Sequence, residues 1–490
     1  MVNGDDALTL DPAVAAPADE ARSRRMNRRA AIAMFLFAWT LTMHGKYSAS
    51  GDEPHYLMIT HSIVADHDMD VANNYARDDG RLFGHDHLEM GLHALPASNG
   101  HIRPIHDVGL AVVLVPIYVV AQQVASTASD ALLVRVRMTR GLLAYSIVSL
   151  FLVALTAFGL FLLADAVSRV LPQPAAAWLV GAVGISPPVV SHSFLVFPEA
   201  LALLVTSLVV WLALRPASAD DRRPLLAILL AVGTLPWAHH KYLLYVPGLL
   251  FVIAWKRWPL VRGLSAADRL IASALVIVPQ LTLLAWTWRE WGTLGGALTT
   301  AGLPFSVQAA ATGLIGLWAD RQSGLLAYAP VYWMVPACWC LTWRSTWPFV
   351  LPAALLYLPA ASFTIGWWAG FSPAARYLVP LVPFFVVIIA QALRYRPIRL
   401  FAWALLASQV VIDAVVWHHP RTLWPSPQGN LALQALGGIG RLYEMALPAA
   451  QTALRPSFAI AFGLFVLTLS TVLVGVSVAA APDERLARER

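Results

Sequence analysis

Charge is scarce in this chain. Only 13% of its 490 residues are Asp, Glu, Lys or Arg and 58% are hydrophobic, whereas a soluble domain carries about 25% charged residues. That excludes an ordinary fold hydrated on all sides and makes lipid the main solvent. Cysteine is nearly absent: Cys338 and Cys340 are the only two, and both sit in one apolar run. Neither a disulfide framework nor a thiolate metal site is implied, and they read as small packing residues. No polar stretch is long enough for a soluble domain of ordinary size, and no internal repeat supports a transporter built from inverted halves. The formal charge of +6 lies in short basic clusters beside apolar runs, where membrane orientation accounts for it and nucleic-acid binding does not.

What the chain has is apolar runs, recurring from about residue 30 to residue 480. Thirteen can be counted, from 30–46 to 456–478. Several in the first half are short or interrupted by proline, and Ser186-Pro187-Pro188 suggests one broken or re-entrant helix. The expected fold is an all-α polytopic membrane protein with about 12 transmembrane helices. Arg22, Arg24, Arg25, Arg28 and Arg29 precede the first run, which puts a disordered N-terminus (1–29) in the cytoplasm. A multi-span region (30–480) follows, then a cytoplasmic tail (481–490). The opposite face receives a long loop, 48–107, and most of the unusual polar residues. Polar residues gathered in loops on one face are where function usually resides.

In that loop, Gly51-Asp52-Glu53-Pro54-His55 opens a helix whose apolar stripe suits a juxtamembrane position. Pro54 fits a first helical turn, so Asp52 either caps the helix or holds an ionised carboxylate at headgroup depth. The acidic residues from Asp66 to Asp79 mimic a calcium loop, but Val71 and Arg77 stand where glycine and glutamate are required. His85, His87, Glu89, His93, His101, His106 and Asp107 offer metal-binding groups without the two-histidine helix pattern, so no metal site is assigned. Further on, Glu199 ends an apolar run, and His239-His240-Lys241 sets three potential cations between two short ones. The cations suit an anionic ligand at the membrane surface, or an aromatic and basic interfacial anchor. Asp320-Arg321 and Trp367-Trp368-Ala369-Gly370-Phe371-Ser372-Pro373-Ala374-Ala375-Arg376-Tyr377 complete the set. Arg376 has the form of a phosphate clamp, because guanidinium binds phosphate oxygens in pairs.

An Asp-Glu pair on a juxtamembrane helix in the first outer loop of a multi-span chain resembles the GT-C superfamily of polyprenyl-phosphate-sugar-dependent glycosyltransferases. The plan is similar to that of protein O-mannosyltransferases and lipid A aminoarabinose transferases. The Asp320–Pro330 and Trp367–Tyr377 patterns also look like motifs of bacterial members. The resemblance implies an inverting glycosyltransferase in the bacterial inner membrane with its active face outside; no acidic pair matches the metal-binding pattern of oligosaccharyltransferases, so a mechanism without metal or cofactor is expected. It would move sugar from a polyprenyl-phosphate donor to a hydroxyl on a glycan, lipid or protein acceptor. Asp52 is then the base. Lys241 and Arg376 offset the departing phosphate, Glu53 and His55 orient the acceptor, and Glu199 lines the cavity. Asp320 and Arg321 shape its rim, with His239, His240, Trp368 and Tyr377 as further substrate contacts. The rival readings are a transporter or flippase for a lipid-linked sugar, whose route the same polar residues would line, and a ligase or polymerase using diphosphate-linked glycans.

Overall fold

The computed structural model describes residues 17–42, 51–216, 218, 221–297, 307–362, 366–370, 372–424, 426, 428–450 and 456–480. The tail 481–490 and residues 1–16 of the N-terminal segment lie outside them. Long apolar runs that must satisfy their own backbone groups become helices. The first is α1 (Pro17–Thr42), which takes in the arginines from Arg22 to Arg29 and so begins within the segment expected to be disordered. Next come α2 (Glu53–Ala65), α3 (Val108–Thr127), α4 (Arg140–Val167), α5 (Glu199–Leu214) and α6 (Arg222–Ala238). The series continues with α7 (Ala266–Trp291), α8 (Arg396–His418) and α9 (Pro456–Ala479). One hairpin, β1 (Ala94–Pro96) and β2 (Ile102–Pro104), pairs antiparallel with Leu95 opposite Arg103.

Among the described residues, five helices of 20 to 28 residues are long and apolar enough to cross a membrane: α3, α4, α7, α8 and most of α9. This corrects the expected twelve spans. Proline divides several of the remaining runs. Ser186-Pro187-Pro188 separates helix Ala175–Ile185 from Val189–Ser193, and Pro330 and Pro336 help split another run into Leu325–Tyr328, Pro330–Met334 and Val335–Thr346. Even unbroken α5, with 16 residues, rises only about 24 Å against a hydrocarbon core of about 30 Å. Leu270, Ile277 and Leu281 on α7, and Ile460, Leu464 and Leu467 on α9, are exposed. Apolar surface of this extent suits lipid rather than water and marks a membrane protein.

Helix α4 is central, packing against α1, α3 and α5. Helix α6 bridges α3, α5 and α7, and its crossing with α7 is close: a Cβ on Gly233 would fall 2.2 Å from the Leu275 carbonyl oxygen. Helix α2 differs from its expected interfacial placement. It rests on α3, and residues 53–60 are buried all round, so its apolar side chains meet protein rather than headgroups.

Candidate functional site

The loop before α2, the turn after α6 and the turn at Arg376 meet around one cavity of about 290 Å³, lined in part by Asp52, Tyr56, His106, His240, Arg376 and Tyr377. At its edge Gly51 adopts φ +58°, a left-handed conformation suited to glycine. Asp52 follows with helical angles, φ −75° and ψ −15°, and makes no side-chain capping bond among the described residues. A capping residue normally holds extended angles, so the carboxylate is released from the helix end and reaches across the bundle. Arg376 Nη1 donates to its Oδ2 at 2.8 Å, over a sequence separation of 324 residues.

Arg376 is 5% exposed and also donates from Nε to Glu199 Oε1 at 3.1 Å. Its guanidinium lies 3.9 Å from the centre of the Phe197 ring. Lys241 Nζ meets the same Glu199 oxygen at 2.5 Å and stands 4.6 Å from the Tyr377 ring centre. Four residues from distant parts of the chain thus form one alternation of charge, buried at Glu199, Lys241 and Arg376 and partly open at Asp52, in which each ion has an opposite neighbour as burial demands. Burial alone would raise the Asp52 carboxyl, but Arg376, with His106 and His93 nearby, holds it well below the usual carboxylate range. The group is ionised at neutral pH.

Two imidazoles face Asp52, and a third stacks behind them. His93 Nδ1 lies 3.9 Å from Asp52 Oδ1 and 3.0 Å from His106 Nε2. His55 stacks on His93 with centroids 3.6 Å apart and binds the Tyr75 hydroxyl at 2.6 Å. Burial, the largest influence, keeps His93 below its ordinary pKa and takes His106 down to about 4, although Asp52 pulls the other way. Opposite them, Asp107 pairs with the His240 ring and accepts the His240 backbone N–H at 2.7 Å. His240 Nε2 in turn lies 2.9 Å from Thr287 Oγ1. Arg103 of β2 donates to Glu290 of α7 at 2.8 Å, closing the far wall.

Comparison with known proteins adds no relative: no family model matches the chain, no curated protein matches it, and no solved structure matches it.

The anticipated residues therefore separate. Asp52, His239, His240, Arg376 and Tyr377 line the cavity. Glu199 and Lys241 stand behind it, holding Arg376. Glu53 turns away, its Oε1 accepting from the Tyr145 hydroxyl and the Val196 backbone N–H, both at 2.8 Å; it ties α2 to α4 and the segment before α5. His55 backs His93, and Trp368 stacks edge-on with Trp367 at 5.6 Å; neither lines the cavity. Asp320 Oδ1 accepts the backbone N–H groups of Gln322 and Ser323 at 2.9 and 2.8 Å. The Ser323 carbonyl then accepts from Ala375 N at 2.9 Å, so the first motif braces the turn that presents Arg376. Arg321 faces a different cavity, with Gln434, Arg441 and Glu444.

Sequence reasoning passed over Tyr56, Arg103, Thr287 and Glu290, and left His93, His106 and Asp107 unassigned. One signal was present: His106-Asp107 at the head of α3 and Glu290 at the end of α7 are ionisable groups beside long apolar runs, where such residues face a wet cavity or a partner.

Proposed function

We propose that the chain is an inverting glycosyltransferase that moves sugar from a polyprenyl-phosphate donor to an acceptor hydroxyl, on the outer face of a bacterial inner membrane. The observation that carries this reading is the Asp52 carboxylate on the cavity wall, held by Arg376 at 2.8 Å. In the reaction the acceptor oxygen attacks the anomeric carbon, the bond from that carbon to the phosphate oxygen breaks, the acceptor proton passes to Asp52, and polyprenyl phosphate leaves as an anion. A carboxylate with so low a pKa is a weak base, which suits late proton transfer. The acceptor hydroxyl becomes acidic only as its new bond forms in an oxocarbenium-like transition state. Arg376 carries five N–H donors, and its two ion pairs use Nε and Nη1, leaving the Nη2 edge outside both for a phosphate oxygen. Glu199 and Lys241 act by positioning Arg376.

The test is transfer of labelled sugar from a panel of polyprenyl-phosphate sugars, in membranes holding equal amounts of wild type or Asp52→Asn. Loss of a general base costs about 10²–10⁴-fold in rate, so the variant is expected to be nearly inactive while still binding donor lipid. An active wild type matched by Asp52→Asn would remove Asp52 from the reaction. Transbilayer movement of a lipid-linked sugar without transfer from any donor would replace the proposal with transport.

A further inference from the structure

Each carboxylate around the cavity already has a partner: Asp52 and Glu199 share Arg376 and Lys241, Glu290 has Arg103 and Asp107 bonds the His240 ring. Such a balanced arrangement offers no surplus positive charge to an arriving phosphate. It does hold one group without a charge-matching purpose, the imidazoles of His93 and His106 turned toward the free oxygen of Asp52.

We infer that Asp52, His93 and His106 form a divalent transition-metal site. Their ligand atoms lie within 4.8 Å of one another, with ring nitrogens 3.0 Å apart and the nearer carboxylate oxygen 3.9 Å from His93. Metal–nitrogen bonds of about 2.0–2.1 Å set neighbouring tetrahedral ligands about 3.3–3.4 Å apart, so small side-chain shifts let one ion reach all three. Arg376 engages Oδ2 and leaves Oδ1 facing the histidines, and a carboxylate has lone pairs enough for both. Two imidazoles with one carboxylate suit Zn²⁺, Co²⁺ or Fe²⁺ rather than Mg²⁺ or Ca²⁺, which prefer all-oxygen shells. Asp52 and His93 remain 29% and 32% exposed, so the ion keeps an open position toward the cavity, as catalytic metals do. His55, itself bonded to Tyr75, stacks on the His93 ring and limits its rotation. An ion there would supply the positive charge that the donor phosphate meets, a role that rests on the transfer reaction proposed above; binding of the ion does not.

The experiment is Zn²⁺ titration and metal analysis of the detergent-purified full chain, with Co²⁺ absorption on the same protein. Wild type is expected to hold about one ion per chain. His93→Gln and His106→Gln each weaken binding at least tenfold, and His87→Ala, at an exposed ring outside the site, leaves it unchanged. Wild type that takes up neither Zn²⁺ nor Co²⁺ overturns the assignment without any variant, as does binding indifferent to both glutamine changes. Full sugar transfer by protein stripped of metal would remove the metal's role and leave the transfer reading intact. Stoichiometric, histidine-dependent binding without transfer would do the reverse.

Discussion

Two acid–base pairs of this chain invite the same reading and end in opposite places. Asp320 and Arg321 are adjacent in sequence, yet their side chains part: Asp320 is 1% exposed and holds the N–H groups of its own turn, while Arg321 faces a second cavity. Asp52 and Arg376 are 324 residues apart and meet at 2.8 Å. The reason is geometric. Within a tight turn the nearest donors to a carboxylate are backbone N–H groups, which win over a neighbouring long side chain that must lose rotamer freedom to bind. Asp52, at the start of α2, takes none of the N–H groups there, so a partner brought by the fold determines its role.

The comparison breaks most sharply at Arg376. Replacing it with glutamine leaves Glu199 with Lys241 alone and Asp52 with no cation at the same oxygen. Removing one partner of a buried pair costs about 3–5 kcal/mol. Arg376→Gln is therefore expected to lower the unfolding midpoint in detergent strongly and to abolish transfer. Arg321→Ala should change neither measurably, and equal damage from the two arginine variants would erase the distinction. Asp320→Ala falls between them. It removes two hydrogen bonds to a carboxylate oxygen, each worth about 0.5–1.5 kcal/mol, whereas Asp320→Asn keeps an acceptor oxygen and recovers much of that stability. If Asp320→Asn were stable yet inactive, the turn would belong to the chemistry rather than to the brace behind Arg376.

Much of this was legible beforehand, and the limits have physical causes. The helical class follows from apolar runs that no soluble fold would tolerate. The number of long helices does not, because hydropathy sums over proline breaks such as Pro187-Pro188 and Pro330 that the backbone cannot ignore. Asp52 and Arg376 stood out as charges beside apolar segments. Their pairing did not, since nothing local to either encodes a contact across the bundle. Glu53 shows the converse: its place beside Asp52 suggested a shared task, yet successive residues of a helix point about 100° apart. One carboxylate consequently enters the cavity and the other the core.

The Asp107–His240 pair tests whether a long-range partnership can be tuned by protons in a way that the Asp52–Arg376 pair cannot, since guanidinium keeps its charge. Burial alone would lower the His240 imidazole, but the Asp107 charge and hydrogen bond raise it above the ordinary histidine value of 6.5. Thr287 also faces the ring, and His239 Nδ1 stands 3.9 Å from Asp107. A raised folded-state pKa contributes stability that is fully present below the unfolded value and is lost as pH climbs through the folded one. Wild type should thus exceed His240→Gln by about 1 kcal/mol or somewhat more at pH 5.5, with a smaller gap at pH 9, read as the difference in unfolding midpoint. Arg376→Gln should show no such narrowing over the same range. A His240→Gln gap independent of pH would mean that the ring serves Asp107 and Thr287 as a neutral hydrogen-bonding bridge, and that its charge contributes nothing to the wall opposite Asp52.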